Sequence, residues 1–292
     1  MIPKEILQKV RQIEIRTKNI VNDIFAGEYH SVFKGRGMEF SGVREYTPGD
    51  EIRTIDWNVT ARFGHPYVKY FIEERELTVM LIVDVSSSGK FGSIDKLKCD
   101  IIAELCSVLA FSAIKNKDKV GLILFSDRIE KYIPPKKGRS HVLRVIRELL
   151  FFKPENRETN INAALEHLNR VIKKKAVTFI VSDFLSDNIY EKELALTNTH
   201  HDLIAVKITD PREIQVPDVG FIQLEDTETG ELIFIDTSNL NLRNNYYSNN
   251  AEQQIRFNKT MKSMKIDLIE IFTDKPYIQS LLNFFRLREK RL

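Results

Sequence analysis

A carboxylate and two hydroxyl groups stand at alternate positions where one apolar segment of this sequence ends. Residues 77–83 are almost wholly apolar and are followed by Asp84-Val85-Ser86-Ser87-Ser88. In an extended segment the side chains of Asp84, Ser86 and Ser88 point to the same side. Carboxylate and hydroxyl oxygens are hard donors, which suit Mg²⁺ or Mn²⁺ better than softer metals. The spacing therefore predicts part of a divalent-cation site.

Aspartates also stand at the ends of other predicted strands. In open α/β sheets ligands bind beyond the carboxyl ends of the strands, so each of these carboxylates is a candidate ligand. Asp often caps the following turn or helix instead, and we expect that role for Asp127, Asp210 and Asp274. Asp183 follows the apolar run 177–181. With Asp84 it would supply two carboxylates and leave water positions open, as Mg²⁺ normally requires.

Apolar runs and helical patterns alternate from residue 77 onwards. The predicted core strands are residues 77–83, 120–125, 177–181, 203–208 and 266–272. The predicted helices are residues 95–114, 140–152 and 161–173, with a further helix after each of the last two strands. This alternation predicts an α/β fold with a doubly wound, mainly parallel sheet and helices on both faces. Residues 221–224 and 232–235 flank Glu-Thr-Gly, which predicts a hairpin appended to the sheet.

The first quarter of the chain has a different pattern. Apolar residues at helical spacing predict a long amphipathic helix over residues 3–25. Glycines and prolines punctuate residues 28–76, which predicts loops and a few short strands. We therefore predict a boundary near residue 76. Residues 1–76 would form a satellite packed on an α/β domain of residues 77–292.

The composition is that of a protein with mixed surface charge. Lys and Arg number 44 against 41 Asp and Glu, a formal net charge of +3, which gives little reason to expect nucleic-acid binding. Cys99 and Cys106 are the only cysteines. They lie two turns apart on a predicted helix, too far for a disulfide, and suit a reducing compartment. The sequence shows no signal-peptide block and no apolar run that could span a bilayer, so we expect a cytoplasmic protein without a transmembrane segment.

The motif Asp84-x-Ser86-x-Ser88 resembles the first element of the metal-ion-dependent adhesion site in von Willebrand factor type A domains. The segment 158–165, with Thr159 at the matching place, resembles the second element, and Asp183 after the next core strand resembles the third. The resemblance implies that Ser86 and Ser88 coordinate Mg²⁺, or Mn²⁺ or Ca²⁺, directly. It also implies that Thr159 and Asp84 bind directly or through water, that Asp183 closes the site, and that a carboxylate from a protein partner completes the coordination.

A second resemblance covers nearly the whole chain. Residues 39–53, followed by Ile55-Asp56-Trp57, Ala61-Arg62 and residues 71–76, resemble the signature of the bacterial family called domain of unknown function 58. In that family the signature stands directly before a type A-like domain. The resemblance implies association with MoxR-type AAA+ ATPases, which assemble or activate other proteins.

The residue types of the signature also predict structural roles, independently of the resemblance. Pro48-Gly49-Asp50 is typical of a turn. Trp57 is the only tryptophan, and we expect it to be a buried packing anchor. The signature's charged residues either form an ion-pair network that ties the satellite to the α/β domain or form a surface for a partner. We favour the network, because fixed charges near an interface usually pair.

The predicted function is a non-enzymatic adaptor that binds a protein partner through the cation, with no catalytic residue assigned. The partner would be a MoxR-type ATPase or its client. One alternative is a Mg²⁺-dependent hydrolase or phosphoryl-transfer enzyme, since Mg²⁺ near carboxylates can activate water. The sequence contains no Gly-x-Ser-x-Gly elbow and no Walker-type loop. The other alternative is nucleic-acid binding through basic segments such as residues 136–139 and 286–291, although these lack interleaved aromatic residues.

Overall fold

The computed structural model describes residues 10–15, 17, 20–21, 29, 38–73, 76–87, 97–154, 158–185, 189–225 and 232–291. The chain divides into two compact units: unit 1 combines Met1–Val32 with Thr78–Leu292, and unit 2 is Phe33–Leu77. Met1–Val32 thus belongs to the same unit as the α/β domain. The prediction instead placed these residues with the signature region, in a satellite of residues 1–76. Residues 10–15 are helical. The rest of the helix predicted over residues 3–25 lies largely outside the described residues.

Strands and helices alternate along most of the described chain. The strands are β1 (Met38–Glu45), β2 (Tyr67–Glu73), β3 (Thr78–Asp84), β4 (Lys119–Phe125), β5 (Ile129–Lys136), β6 (Val177–Ser182), β7 (Asp202–Thr209), β8 (Phe221–Glu225), β9 (Leu232–Asp236) and β10 (Asp267–Phe272). The helices are α1 (Trp57–Phe63), α2 (Lys98–Lys115), α3 (Arg139–Phe151), α4 (Ile161–Val171), α5 (Glu191–His200), α6 (Pro211–Ile214), α7 (Leu240–Ser263) and α8 (Tyr277–Glu289).

The central sheet of unit 1 contains, among the described residues, six strands in the order β10-β7-β6-β3-β4-β5. Every neighbouring pair is parallel except β4 with β5. Helices α4, α5 and α7 share a buried cluster with Met80 and Ile82 on one face of β3. Helix α2 contacts β3, β4 and β7, and packs beside α3 and α8. The structure confirms the predicted fold class: α/β, with the doubly wound, mainly parallel sheet expected of a von Willebrand factor type A-like domain.

Close packing at the centre of the sheet depends on one glycine. Gly121 on β4 lies opposite Met80 on β3. A Cβ atom at Gly121 would stand 2.5 Å from the Met80 sulfur, which is closer than real side chains approach. The absence of a side chain at Gly121 therefore lets the large Met80 side chain fill the core between the sheet and the helices.

Strand β5 and helix α5 of unit 1 were not predicted. Strand β5 contains Pro134 and Pro135, which cannot donate to a strand ladder. The prolines are tolerated because β5 is an edge strand, bonded in this sheet to β4 alone. Helix α5 has a weak apolar pattern, since only Leu194 and Thr197 are buried in it. The predicted hairpin is confirmed as the antiparallel pair β8 and β9, but among the described residues it forms a two-stranded sheet of its own and does not extend the central sheet.

Tyr29 connects the start of the chain to the α/β unit. Its side chain is buried, and its hydroxyl donates a hydrogen bond to Asp118 Oδ2 at 3.3 Å. Its ring centroid lies 6.1 Å from that of Phe285 in α8. A residue far upstream of β3 therefore completes the core beside the last helix.

Unit 2 is built on the antiparallel pair β1 and β2, with an irregularity between Phe40 and Gly42. Asp56 caps α1 by accepting hydrogen bonds from the backbone amides of Asn58 and Val59. Arg44 binds the Asp50 carboxylate through two hydrogen bonds of 2.8 and 2.6 Å. Trp57 is 68% exposed, so it is not a packing anchor of this unit.

Candidate metal centre

Asp84 is held at the carboxyl end of β3 by hydrogen bonds from its own loop. The backbone amide of Ser86 donates to Asp84 Oδ1 at 2.9 Å, which curls the chain around the carboxylate. The amide of Val85 donates to the carbonyl of Phe125 at 2.9 Å and ties this loop to β4. Asp84 and Ser86 are both buried. The acceptor oxygens of Asp84 are therefore fixed at the centre of the sheet edge.

Two hydroxyl groups from separate stretches of chain reach the second oxygen of Asp84. Ser182, at the end of β6, donates to Asp84 Oδ2 at 2.8 Å. Thr159 Oγ1 lies 3.4 Å from the same oxygen. The backbone next to Thr159 is held in place because the amide of Asn160 donates to the Ser126 carbonyl at 2.7 Å. The Asn160 side chain also caps α4 by accepting from the Ala163 amide.

Asp183 is the second buried carboxylate at this edge of the sheet. Its Oδ1 accepts a hydrogen bond from the Leu185 amide at 3.1 Å. Burial raises the pKa of Asp84 to about 6, and the nearby negative charge of Asp183 contributes to this rise. Hydrogen bonds from Ser86 and Ser182 oppose it only partly. The two carboxylates thus concentrate negative charge that would be relieved by a cation.

Lys98 is a buried residue of this edge that the sequence analysis missed. Its ammonium group lies 3.2 Å from Asp183 Oδ2 and also pairs with Glu213 Oε1. Burial alone would lower the pKa of Lys98, but Asp183 and Glu213 outweigh that effect and raise it. Glu213 in turn accepts a hydrogen bond from the Asp210 amide at 2.9 Å. Asp183 therefore interacts both with the charge of Asp84 and with an ammonium group.

The predicted site residues differ in how far the structure describes them. Asp84, Ser86 and Thr159 lie together, and Asp183 is the neighbouring charge. Ser88 lies outside the described residues. Ser182, which the sequence analysis did not assign to the site, contacts Asp84 because Val83 and Val181 are in register on neighbouring parallel strands. The periodicity of the sequence does not reveal that register.

The other aspartates of the sheet edge have varied surroundings. Asp210 accepts from the Arg212 amide and forms a capping box with Glu213 at the start of α6, which confirms its predicted capping role. Asp127 accepts a hydrogen bond from the Ser126 hydroxyl at 3.0 Å. Asp274 follows β10 and is exposed. None of these contacts brings the three carboxylates to Asp84.

The donor set around Asp84 fits a hard divalent cation. Within the part of the chain that the structure describes, no group of three or more His, Cys, Asp or Glu residues could hold a metal. A cation here would therefore depend on hydroxyl or water oxygens in addition to the two carboxylates. Mg²⁺ and Mn²⁺ accept such mixed oxygen ligands and commonly retain bound water.

The sequence of residues 42–256, well over half of the chain, matches the model of a family described as "Protein of unknown function DUF58". The chain belongs to this family. The DUF58 match spans part of unit 2 and most of the central sheet. The predicted membership is thereby confirmed, while the association with a MoxR-type ATPase stays a prediction.

One similar protein matches nearly the full chain, and two solved structures match about three quarters of it. The uncharacterized protein Rv1480 of Mycobacterium tuberculosis is 27% identical over 285 residues, which cover 96% of this chain and 89% of that protein. An aerotolerance-related membrane protein from Bacteroides fragilis has a similar fold, with a TM-score of 0.51 and 15% identity over 74% of this chain and 100% of that one. A von Willebrand factor type A protein from Catenulispora acidiphila matches with a TM-score of 0.43 and 11% identity over 77% of this chain and 44% of that one.

In the described part of this DUF58 protein, no helix combines the length and apolar character needed to cross a bilayer. The predicted cytoplasmic location stays a prediction.

Proposed function

We propose that this DUF58 protein is a non-enzymatic binding module that holds a divalent cation at Asp84 and uses it to capture a carboxylate of a protein partner. The observation that supports the proposal is the meeting of oxygen donors from three separated stretches of chain. Thr159, Ser182 and the Ser86 loop all converge on the buried Asp84 carboxylate.

Each residue would have a distinct role toward the cation. Asp84, Ser86, Ser88 and Thr159 would hold it directly or through water, and Asp183 would add the second negative charge. Ser182 would orient Asp84, since its hydroxyl donates to the same oxygen that Thr159 reaches. Mg²⁺, Mn²⁺ or Ca²⁺ would supply a positive charge that attracts the carboxylate of a partner.

The partner that we propose is a MoxR-type AAA+ ATPase or a client of one. The support for this part is the family resemblance of the signature region, not a contact in the structure. The role would be to assist the assembly or activation of other proteins.

The decisive experiment uses the double variant Asp84→Ala/Ser86→Ala, with Asp274→Ala as the matched control. Asp274 follows a strand of the same sheet edge but is exposed. Mn²⁺ binding would be measured by isothermal titration calorimetry. Capture of a purified MoxR-type ATPase from the same organism would be measured in Mg²⁺ and in excess chelator. We expect the double variant to lose both Mn²⁺ binding and Mg²⁺-dependent capture, while the control retains them.

Two outcomes would contradict the proposal. Capture that persists in the double variant or in chelator would show that the Asp84 site does not hold the partner. Hydrolysis of a phosphate ester or nucleotide that requires Mg²⁺, and disappears in the double variant, would favour the enzyme alternative. Circular dichroism of both variants shows whether the fold is intact.

A further inference from the structure

We propose that the ammonium group of Lys98 competes with the divalent cation for the Asp183 carboxylate. Without metal the ammonium group binds Asp183. When the metal binds that carboxylate, Lys98 moves fully to Glu213. This inference rests on the proposed cation site and adds a mechanism that sets its affinity. It concerns a residue that the motif of oxygen donors does not include.

The geometry that supports the inference is a shared carboxylate. Lys98 Nζ lies 3.2 Å from Asp183 Oδ2, within hydrogen-bonding distance. Asp183 is the candidate second carboxylate for the cation, and its charge acts on Asp84. A cation held by both aspartates would stand near the ammonium group and would repel it. Lys98 and the metal therefore compete for the same negative charge.

Glu213 gives the ammonium group a second partner. Lys98 already pairs with Glu213, which is fixed in place by the Asp210 backbone and the capping box of α6. The Lys98 side chain is almost completely buried, at 2% exposure, so it cannot simply extend into solvent. A shift toward Glu213 would release Asp183 while the buried ammonium keeps a counter-charge, as a buried ion requires.

The position of Lys98 on its helix would be unfavourable without the two carboxylates that pair with it. Lys98 is the first residue of α2, where the helix dipole disfavours a positive charge. It also lies on the buried side of α2, with Ile102 and Leu105. A purely structural ion pair is the alternative explanation, and it predicts no effect of Lys98 on metal affinity.

Charge-balanced variants separate the two explanations. In the double variant Lys98→Met/Glu213→Gln one positive and one negative charge are removed, so the net charge at the edge is the same as in the wild type. The matched control is Lys207→Met/Glu270→Gln. Lys207 is also buried, but its ammonium group bonds Gln254, which bonds Glu270, and the charge of Asp183 acts on it less strongly than that of Glu270.

Mn²⁺ affinity would be measured by titration of the full chain at pH 7.5, followed by electron paramagnetic resonance of the free ion. Thermal unfolding without metal shows which variants are folded. We expect Lys98→Met/Glu213→Gln to bind Mn²⁺ about tenfold more tightly than the wild type, because the competing ammonium is gone. The Lys207 control is expected to remain within about twofold of the wild type, since its ammonium group forms no hydrogen bond with Asp183 and feels that charge only as a weaker influence than Glu270.

The outcomes distinguish this inference from the proposed function. If the wild type and a folded Lys98→Met/Glu213→Gln variant bind Mn²⁺ equally, the competition is refuted but the cation site stands. The same holds if the variant binds more weakly. If neither protein binds Mn²⁺, the cation site itself is refuted. If the Lys98 variant does not fold, the single variants Glu213→Gln and Glu270→Gln are compared, since each removes one negative charge. Removal of the second partner should hold Lys98 on Asp183 and make Mn²⁺ binding several-fold weaker in Glu213→Gln than in Glu270→Gln, and equal binding by the two variants would refute the competition.

Discussion

Substitution of Asp84 by asparagine is expected to stabilise the metal-free protein while it removes the cation site. The Asp84 carboxylate is buried beside Asp183, and its pKa is raised from 3.8 to about 6 by burial and by that neighbouring charge. The folded state therefore disfavours the ionised form of Asp84. Asparagine has nearly the same shape but no charge, and its oxygen can still accept from the Ser86 amide.

The size of this stabilisation follows from the pKa shift. A rise from 3.8 to about 6, at about 1.4 kcal/mol per unit, corresponds to about 3 kcal/mol of unfolding free energy at pH well above 6. Because the folded-state pKa lies above the unfolded-state value, the contribution of Asp84 to the stability of the metal-free protein is most favourable below pH 4. This contribution is lost as the pH rises through about 6. The advantage of Asp84→Asn should therefore be large at pH 8 and small at pH 4.

Urea unfolding in the presence of chelator, followed by circular dichroism at pH 4 and pH 8, measures this difference. The exposed Asp274→Asn variant is the control and should match the wild type at both pH values. In saturating Mg²⁺ the order should reverse, since a ligand that binds only the folded state stabilises the wild type alone. A variant that is less stable than the wild type at pH 8 without metal would refute the reasoning, as would a difference that does not depend on pH.

Two further predictions concern the framework of the fold. Gly121→Ala should lower the unfolding free energy by about 1–3 kcal/mol, because its Cβ atom would collide with the Met80 sulfur. Combination with Met80→Val should recover part of this loss in urea unfolding, and an additive loss would contradict the explanation. Asp56→Ala should destabilise α1 by about 1 kcal/mol through loss of its cap. Faster hydrogen exchange of the Asn58 and Val59 amides in the variant would show the loss of the cap. Unchanged exchange would contradict the capping role of Asp56.

The parts of the fold that the sequence predicted well are those with a strong local signal. Runs such as those of β3, β4 and β6 are mostly apolar because both faces are buried, so their length and position are visible in the sequence. Strand β5 was missed because Pro134 and Pro135 usually exclude a strand, and only its place at the edge permits them. Helix α5 was missed because few of its residues are buried.

The sequence likewise predicted only some of the contacts of the candidate site. The spacing of Asp84 and Ser86 and the order of the motif elements indicated which stretches would meet. The contact of Ser182 with Asp84 depends on strand register, and that of Lys98 with Asp183 joins residues 85 positions apart. Lys98 lies on the apolar stripe of α2, at helical spacing from Ile102 and Leu105. This position was the one sign in the sequence that the lysine is buried.

The grouping of Met1–Val32 with the α/β unit affects how the protein can be divided. Unit 2 is an insertion in sequence terms, since unit 1 resumes only at Thr78. A fragment cut at the start of β3 would lack Tyr29, and so would leave Asp118 without that hydroxyl donor and uncover the ring of Phe285. The α/β unit is therefore discontinuous in sequence. To produce it alone, its two segments would have to be joined directly, with unit 2 removed.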